Sequence, residues 1–256
     1  MESFREGSAA LIQGASRGIG LGLCDKLLAS ARFSRVYATG RHAERSEGLA
    51  DLRSRFGDAL VPLDMDIARE PAIQAAAQRI GEAESRLDLI INVSGVLHDS
   101  SRGMRPEKRL EDIEVENLEH SFRVNAFGPI LMAKHFHRLL NHGDKAVFAS
   151  LSARVGSIED NGLGGWYAYR AAKAAQNQFS LTAAIELSRR ARHTIVLSLH
   201  PGTTDTGLSE PFQGRVPDGK LFSVDFVTDQ LLAIIDNVGP EDSGCFYAWD
   251  GQPIPW

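Results

Sequence analysis

Several features are scarce in this chain. Cysteine occurs only twice in 256 residues, at Cys24 and Cys245. Neither lies in a Cys-x-x-Cys pair, which argues against a disulfide framework and a thiolate metal site. No apolar run approaches the ~20 residues that a bilayer-spanning helix needs. The opening Met-Glu-Ser-Phe-Arg-Glu-Gly has no apolar core of a secretory signal, so two reduced thiols in a cytoplasmic protein are expected. Positive charge is not in excess. Lys and Arg number 28 against 33 Asp and Glu, a net charge of -5, where a general nucleic-acid binder would be basic. His-Glu-x-x-His is absent, and His135 and His137 stand two apart on a helical stretch and cannot face one ion together. No metal is expected.

The remaining composition, 43% hydrophobic and 24% charged, is that of an ordinary globular domain. Strand-like and helix-like stretches alternate along it. Apolar runs predict strands at 9–13, 36–39, 59–63, 87–93, 146–151, 194–199 and 245–249. Helical patterns lie between them at 18–30, 47–56, 71–84, 118–141, 167–190 and 225–237. Alternation of this kind predicts a parallel sheet with helices on both faces. No repeat or linker interrupts it, so residues 1–256 read as one domain. Irregular stretches at 98–115, 157–166 and 206–223 follow the fourth, fifth and sixth strands. Ligands of open parallel sheets sit beyond the carboxyl ends of the strands, so these stretches are expected to wall a substrate site.

The first strand runs into Gly14-Ala15-Ser16-Arg17-Gly18-Ile19-Gly20, which opens the first helix. Glycines there permit a tight turn and bring backbone N–H groups close to a pyrophosphate at a helix start. The second strand ends at Gly40-Arg41 with no Asp or Glu. An acid there would bond a free ribose hydroxyl, whereas arginine suits a 2′-phosphate. Arg41, with Arg17 in the turn itself, therefore points to NADP(H).

Tyr169 and Lys173 stand four apart on the fifth helical stretch and share one face. Free tyrosine titrates near 10. An ammonium ~4 Å away at an effective dielectric of ~20 contributes roughly 4 kcal/mol, enough to lower the phenol's pKa by up to about 3. Such a phenol exchanges a proton with a carbonyl or alcohol oxygen near neutral pH.

Taken together, these residues resemble the classical short-chain dehydrogenase/reductase family over essentially the whole chain. Asn92-Val93-Ser94-Gly95 is similar to its Asn-Asn-Ala-Gly motif, and Asn125 to its catalytic asparagine. Asp66 is similar to the acid beside the adenine, and Pro201-Gly202-Thr203-Thr204-Asp205-Thr206 to the segment after the sixth strand. Arg154–Ile158, Gly164–Arg170 and Leu199–Thr203 resemble the C-factor and sniffer-type carbonyl reductases.

The resemblance implies a Rossmann-type doubly wound sheet and a catalytic set of Tyr169, Lys173, Ser152 and Asn125. Cofactor contacts would come from Gly14, Ser16, Arg17, Gly18, Ile19, Gly20, Arg41, Asp66, Asn92, Ser94, Gly95, Tyr169, Lys173, Pro201, Gly202, Thr203 and Thr206. Ser152 would hold the substrate oxygen, Lys173 would also bond the nicotinamide ribose, and Asn125 would hold a relay water. The family usually has Ser-Ser at the end of its fifth strand. Aligned on Gly156 without a gap, Ala153 takes the catalytic place. A one-residue shift restores Ser152, and Ser150 is the weaker candidate. Members commonly pair through helices corresponding to 118–141 and 167–190, so a homodimer or homotetramer is expected.

Reduction of a small carbonyl compound is the leading activity implied. A nucleotide-binding regulator with little turnover, or alcohol oxidation, are the alternatives. The mixed-charge run from Arg102 to Glu116, with Glu107 in it, reads as a solvated loop. Trp166 reads equally well as lining the cleft or packing beneath its loop.

Overall fold

A computed structural model describes the backbone of residues 1–256 and all side chains except that of Arg215. Seven parallel strands form its central sheet. They are β1 (Ser8–Gln13), β2 (Phe33–Gly40), β3 (Leu60–Asp64), β4 (Leu89–Asn92), β5 (Ala146–Leu151), β6 (Thr194–His200) and β9 (Phe246–Ala248). Their order is β3-β2-β1-β4-β5-β6-β9. The expected strands all form, with bounds shifted by a few residues. A short additional parallel pair, β7 (Thr203–Thr204) and β8 (Leu221–Phe222), ties the segment after β6 to the start of α7 (Val224–Asn237).

The near-continuous apolar strands are explained by burial on both faces. Along β1, Ala10 and Ile12 point to one layer with Leu23 and Leu27 of α1 (Gly18–Ala29), Leu49 of α2 (Glu47–Phe56) and Leu231 of α7. Ala9 and Leu11 point to the other layer, with Ile73 and Ile80 of α3 (Glu70–Ala83), Phe136 of α5 (Gly128–Leu140) and Leu187 of α6 (Tyr167–Arg190). The chain leaves β1 toward β2 on one side and reaches β4 on the other. This reversal opens a crevice at the carboxyl ends of β1 and β4, where open α/β sheets bind ligands.

One predicted helix differs in detail. The stretch expected over 118–141 is α4 (Val115–Phe122), a widened π turn at Arg123–Phe127, and α5. The Gly128 N–H reaches back five residues to the Arg123 carbonyl. The local reason is Pro129, which has no N–H to offer the Asn125 carbonyl. Gly128 is also pressed onto the chain, where a Cβ would stand 3.0 Å from the Ile67 carbonyl oxygen.

Candidate active site

At the β1 end, the Gly14 and Ala15 N–H groups both donate to the Thr39 carbonyl, at 2.8 and 3.0 Å. Gly14 has a φ of 87°, and a Cβ there would lie 2.7 Å from Ser94 Oγ. A Cβ on Gly20 would overlap the Gly14 carbonyl. Gly18 faces the Thr206 methyl across the crevice, with 3.2 Å left for a Cβ. Arg17, at the N-cap of α1, is extended and places no side chain on the helix start. The first-turn N–H groups thus look into a cleared space, the arrangement that receives a pyrophosphate.

Arg41 is exposed directly after β2, and Ser16 Oγ stands 2.8 Å from where a Cβ of Gly40 would be. Asp66 turns one carboxylate oxygen onto the Ala68 N–H at 3.0 Å. Asn92 donates to Ser150 Oγ at 3.0 Å, while its Oδ1 is buried without a partner. The cleared helix start, the orphaned acceptor and the two arginines fit a dinucleotide cofactor.

At the ends of β4 and β5, the structure brings Tyr169, Lys173, Asn125 and Gly95 together. A Cβ on Gly95 would meet Asn125 Oδ1 at 3.2 Å and Lys173 Nζ at 3.9 Å. Asn125 sits in the widened turn. Its carboxamide accepts from the Val96 N–H at 3.0 Å and donates to the Val96 carbonyl at 2.8 Å and to Ser121 Oγ at 3.1 Å. Ser121 in turn donates to the Ala168 carbonyl at 3.2 Å, one residue before Tyr169.

Lys173 is buried. Its ammonium donates to the Leu151 carbonyl at 2.7 Å and to Gln176 Oε1 at 2.8 Å, and lies 5.8 Å from the Tyr169 ring centroid. Gly156 permits this, since a Cβ there would be 2.7 Å from Lys173 Cβ. Burial pulls the Lys173 pKa down to about 7. Burial also pushes the Tyr169 phenol up. The expected sign at Tyr169 is therefore reversed. The lysine is directed at carbonyl oxygens rather than at the phenol, and desolvation discourages charge on both groups.

The serines of this segment are directed elsewhere. Ser152 Oγ donates to Asn177 Oδ1 at 2.7 Å, in the interior. Ser150 pairs with Asn92. Ala153 instead packs with Leu97 and Tyr169, beside Val155, Trp166 and Phe212. Trp166 lines this apolar wall, its ring 6.4 Å from Tyr169 and 5.1 Å from Phe212. Of the three irregular stretches expected to wall the site, 157–166 contributes Trp166 and 206–223 contributes Phe212, while Leu97 stands just ahead of 98–115 and no residue of that stretch joins this cluster.

On the far side, Gly202 has a φ of 72° and abuts Phe222 and Trp249, leading into Thr203 on β7. Sequence reasoning missed Gln176 and Asn177, although they follow Lys173 by three and four residues on the same helical face. It also placed Glu107 in a solvated loop. That expectation is overturned, because Glu107 is 3% exposed. Its neighbours Lys108, Arg109 and Glu111 are exposed as expected. Among the described residues, no cluster of His, Cys, Asp and Glu is arranged to hold a metal ion, and no helix is long and apolar enough to cross a membrane.

Comparison with known proteins places this geometry. The family described as short chain dehydrogenase matches residues 8–215. A dehydrogenase of 1-hydroxy-2-glutathionyl-2-methyl-3-butene from Rhodococcus sp. (strain AD45) is 31% identical over 75% of this chain and 78% of its own. Among solved structures, the NADPH-bound carbonyl reductase from chicken fatty liver superposes with a TM-score of 0.86 at 28% identity, covering 99% of this chain and 95% of that one. The carbonyl reductase Sniffer of D. melanogaster gives 0.84 at 25% identity, covering 98% of this chain and 100% of that one. With its glycine turn, its Tyr169–Lys173 helix and its seven-stranded parallel sheet, the chain belongs to the short-chain dehydrogenase family of NAD(P)-dependent oxidoreductases.

Proposed function

We propose that the protein reduces a small carbonyl compound with NADPH. The observation that carries this reading is the convergence of Tyr169, Lys173 and Asn125 at the ends of β4 and β5, beside the cleared start of α1. Gly14, Gly18 and Gly20 would admit the pyrophosphate, and Arg17 and Arg41 would pair with a 2′-phosphate. Asn92, Ser94 and the Gly202–Thr206 segment would flank the nicotinamide half. NADPH supplies the hydride, and the chain's own residues supply orientation and the proton.

Tyr169 donates its phenolic proton to the substrate oxygen. A protonated phenol at rest suits that task, and burial keeps it protonated. Lys173, titrating at about 7, is poised to pass a proton onward at neutral pH. Asn125 holds Val96 and Ser121 in place, and its main-chain carbonyl, deprived of a donor by Pro129, is the natural acceptor for a relay water. The apolar wall of Leu97, Ala153, Trp166 and Phe212 favours an apolar group beside the carbonyl. The reading includes self-association through residues 118–141 and 167–190, where Phe127 of the widened turn and Ile185 of α6 remain exposed.

The test is Tyr169→Phe. Carbonyl-dependent NADPH oxidation should fall by about 10²–10⁴-fold while NADPH still binds. Turnover at the wild-type rate would sink the mechanism. Arg41→Glu should cut NADPH affinity by roughly ten-fold or more and leave NADH nearly unchanged, since one charge-assisted pair is worth about 1.5–3 kcal/mol.

One observation favours a second reading. Ser152 is bonded to Asn177 and Ala153 lies against Tyr169, so no serine of this segment is directed at the phenol. A nucleotide-binding regulator would tolerate that arrangement. Tight NADPH binding with no oxidation across aldehydes, ketones and quinones would favour it over the reductase.

A further inference from the structure

Glu107 lies in the middle of a charged loop, yet it is buried at 3% exposure, and none of the chemistry above uses it. Its main-chain carbonyl accepts the Trp166 N–H at 2.6 Å. Its Oε2 accepts the Ala168 N–H at 3.3 Å, and its Oε1 is buried without a partner. These two N–H groups belong to the start of α6. Trp166, the N-cap residue, supplies no side-chain cap of its own. A buried carboxylate is costly unless compensated, and the N-terminal end of a helix dipole compensates it.

The chain entering α6 is held in an unfavourable shape. Gly164, Gly165 and Trp166 have φ values of 65°, 67° and 53°. A tryptophan in that region requires its surroundings to impose the conformation. Two residues do so. The Arg170 guanidinium donates to the carbonyls of Gly164, Gly165 and Val155, and Glu107 holds the Trp166 and Ala168 N–H groups from the loop after β4. Trp166, so fixed, lies with its ring edge-on to Tyr169.

We propose that Glu107 is a positioning residue for Tyr169. From the loop after β4 it clamps the first turn of α6 and Trp166, and so sets where the phenol stands. The inference rests on Tyr169 being the proton donor.

The test compares kcat, KM and the NADPH dissociation constant for Glu107→Ala, Glu107→Gln, Glu107→Asp and Tyr169→Phe. A displacement of an ångström costs up to about 10²-fold in rate. Glu107→Ala should therefore lower kcat by about ten-fold or more while NADPH affinity stays within about two-fold. Glu107→Gln keeps an acceptor oxygen for the Ala168 N–H and should restore kcat to within about three-fold of wild type. If the alanine variant does not fold, Glu107→Asp retains the charge but draws it back by one methylene. It should lose roughly three-fold or more in kcat at unchanged NADPH affinity.

A wild-type kcat in the alanine or aspartate variant overturns the proposal. So does an equal loss in the alanine and glutamine variants, or a loss that tracks NADPH affinity. An active Tyr169→Phe enzyme would instead overturn the proton-donor reading. An inactive Tyr169→Phe beside a fully active Glu107→Ala would remove only the role of Glu107.

Discussion

α1 and α6 both begin without a side-chain cap from their own N-cap residue, and they meet that lack in opposite ways. At α1, Arg17 is extended, and glycines at 14, 18 and 20 keep Cβ atoms out of the approach. At α6, the approach is filled. Trp166 stands in a left-handed conformation and the Glu107 carboxylate comes in from a distant loop to take the Ala168 N–H. A third helix shows the ordinary solution, since Ser223 caps α7 by accepting the Phe226 N–H at 3.2 Å. The free N–H groups of a helix start are therefore not a binding feature in themselves. They become one only where the preceding chain has been cleared of side chains.

The comparison can be broken most severely at the open end. Gly20→Ala drives a methyl into the Gly14 carbonyl. It should weaken NADPH binding by about a hundred-fold or more, because the anion site and the turn are lost together. Fluorescence titration of NADPH, with a thermal melt to show that the chain is still folded, checks this.

At the closed end, the signature is desolvation. The Lys173 pKa of about 7 lies below its ordinary value of 10.5, so between those values the unfolded chain binds more protons than the folded one. Stability should rise with pH across about 7 to 10, by up to roughly 1.4 kcal/mol per pH unit from this group. Above about 10 the raised Tyr169 phenol acts in the opposite sense. Lys173→Met should remove the slope between 7 and 10. Urea midpoints measured at several pH values decide it, and an unchanged slope would mean that Lys173 is not desolvated.

The smallest effect belongs to the locally capped helix. Ser223→Ala should cost about 1 kcal/mol of stability and leave NADPH affinity untouched, which a denaturation curve and a titration would record.

Much of this architecture was readable in advance because it rests on local patterns. All seven strands announce themselves as apolar runs, since both sheet faces are covered. Gly14, Gly18 and Gly20 are legible because no other residue fits the turn. Tyr169 and Lys173 are legible from helical spacing. Glu107 was not, because nothing in Arg-Pro-Glu-Lys-Arg separates the one buried charge from its solvated neighbours. Its burial is decided by a helix sixty residues away. The side to which Ser152 turns was equally hidden, since it depends on Asn177 across the packing. The widened turn left a trace, Gly128-Pro129 inside an otherwise regular helical pattern, but its width depends on the contact with Ile67.

That widened turn has a consequence for chain length. Leading into it, the buried positions Asn117, Ser121 and Asn125 recur in steps of four, and after it Met132, Phe136 and Leu140 do the same. A regular helix repeats every 3.6 residues, so steps of four drift around its surface. A turn that closes over five residues absorbs the surplus, as an insertion would. The sheet and its helical layers would accept a chain one residue shorter at this point, with both core faces still aligned. Asn125 would not, because its carboxamide reaches Val96 from that bulge. The extra residue thus serves to hold Asn125 at the site.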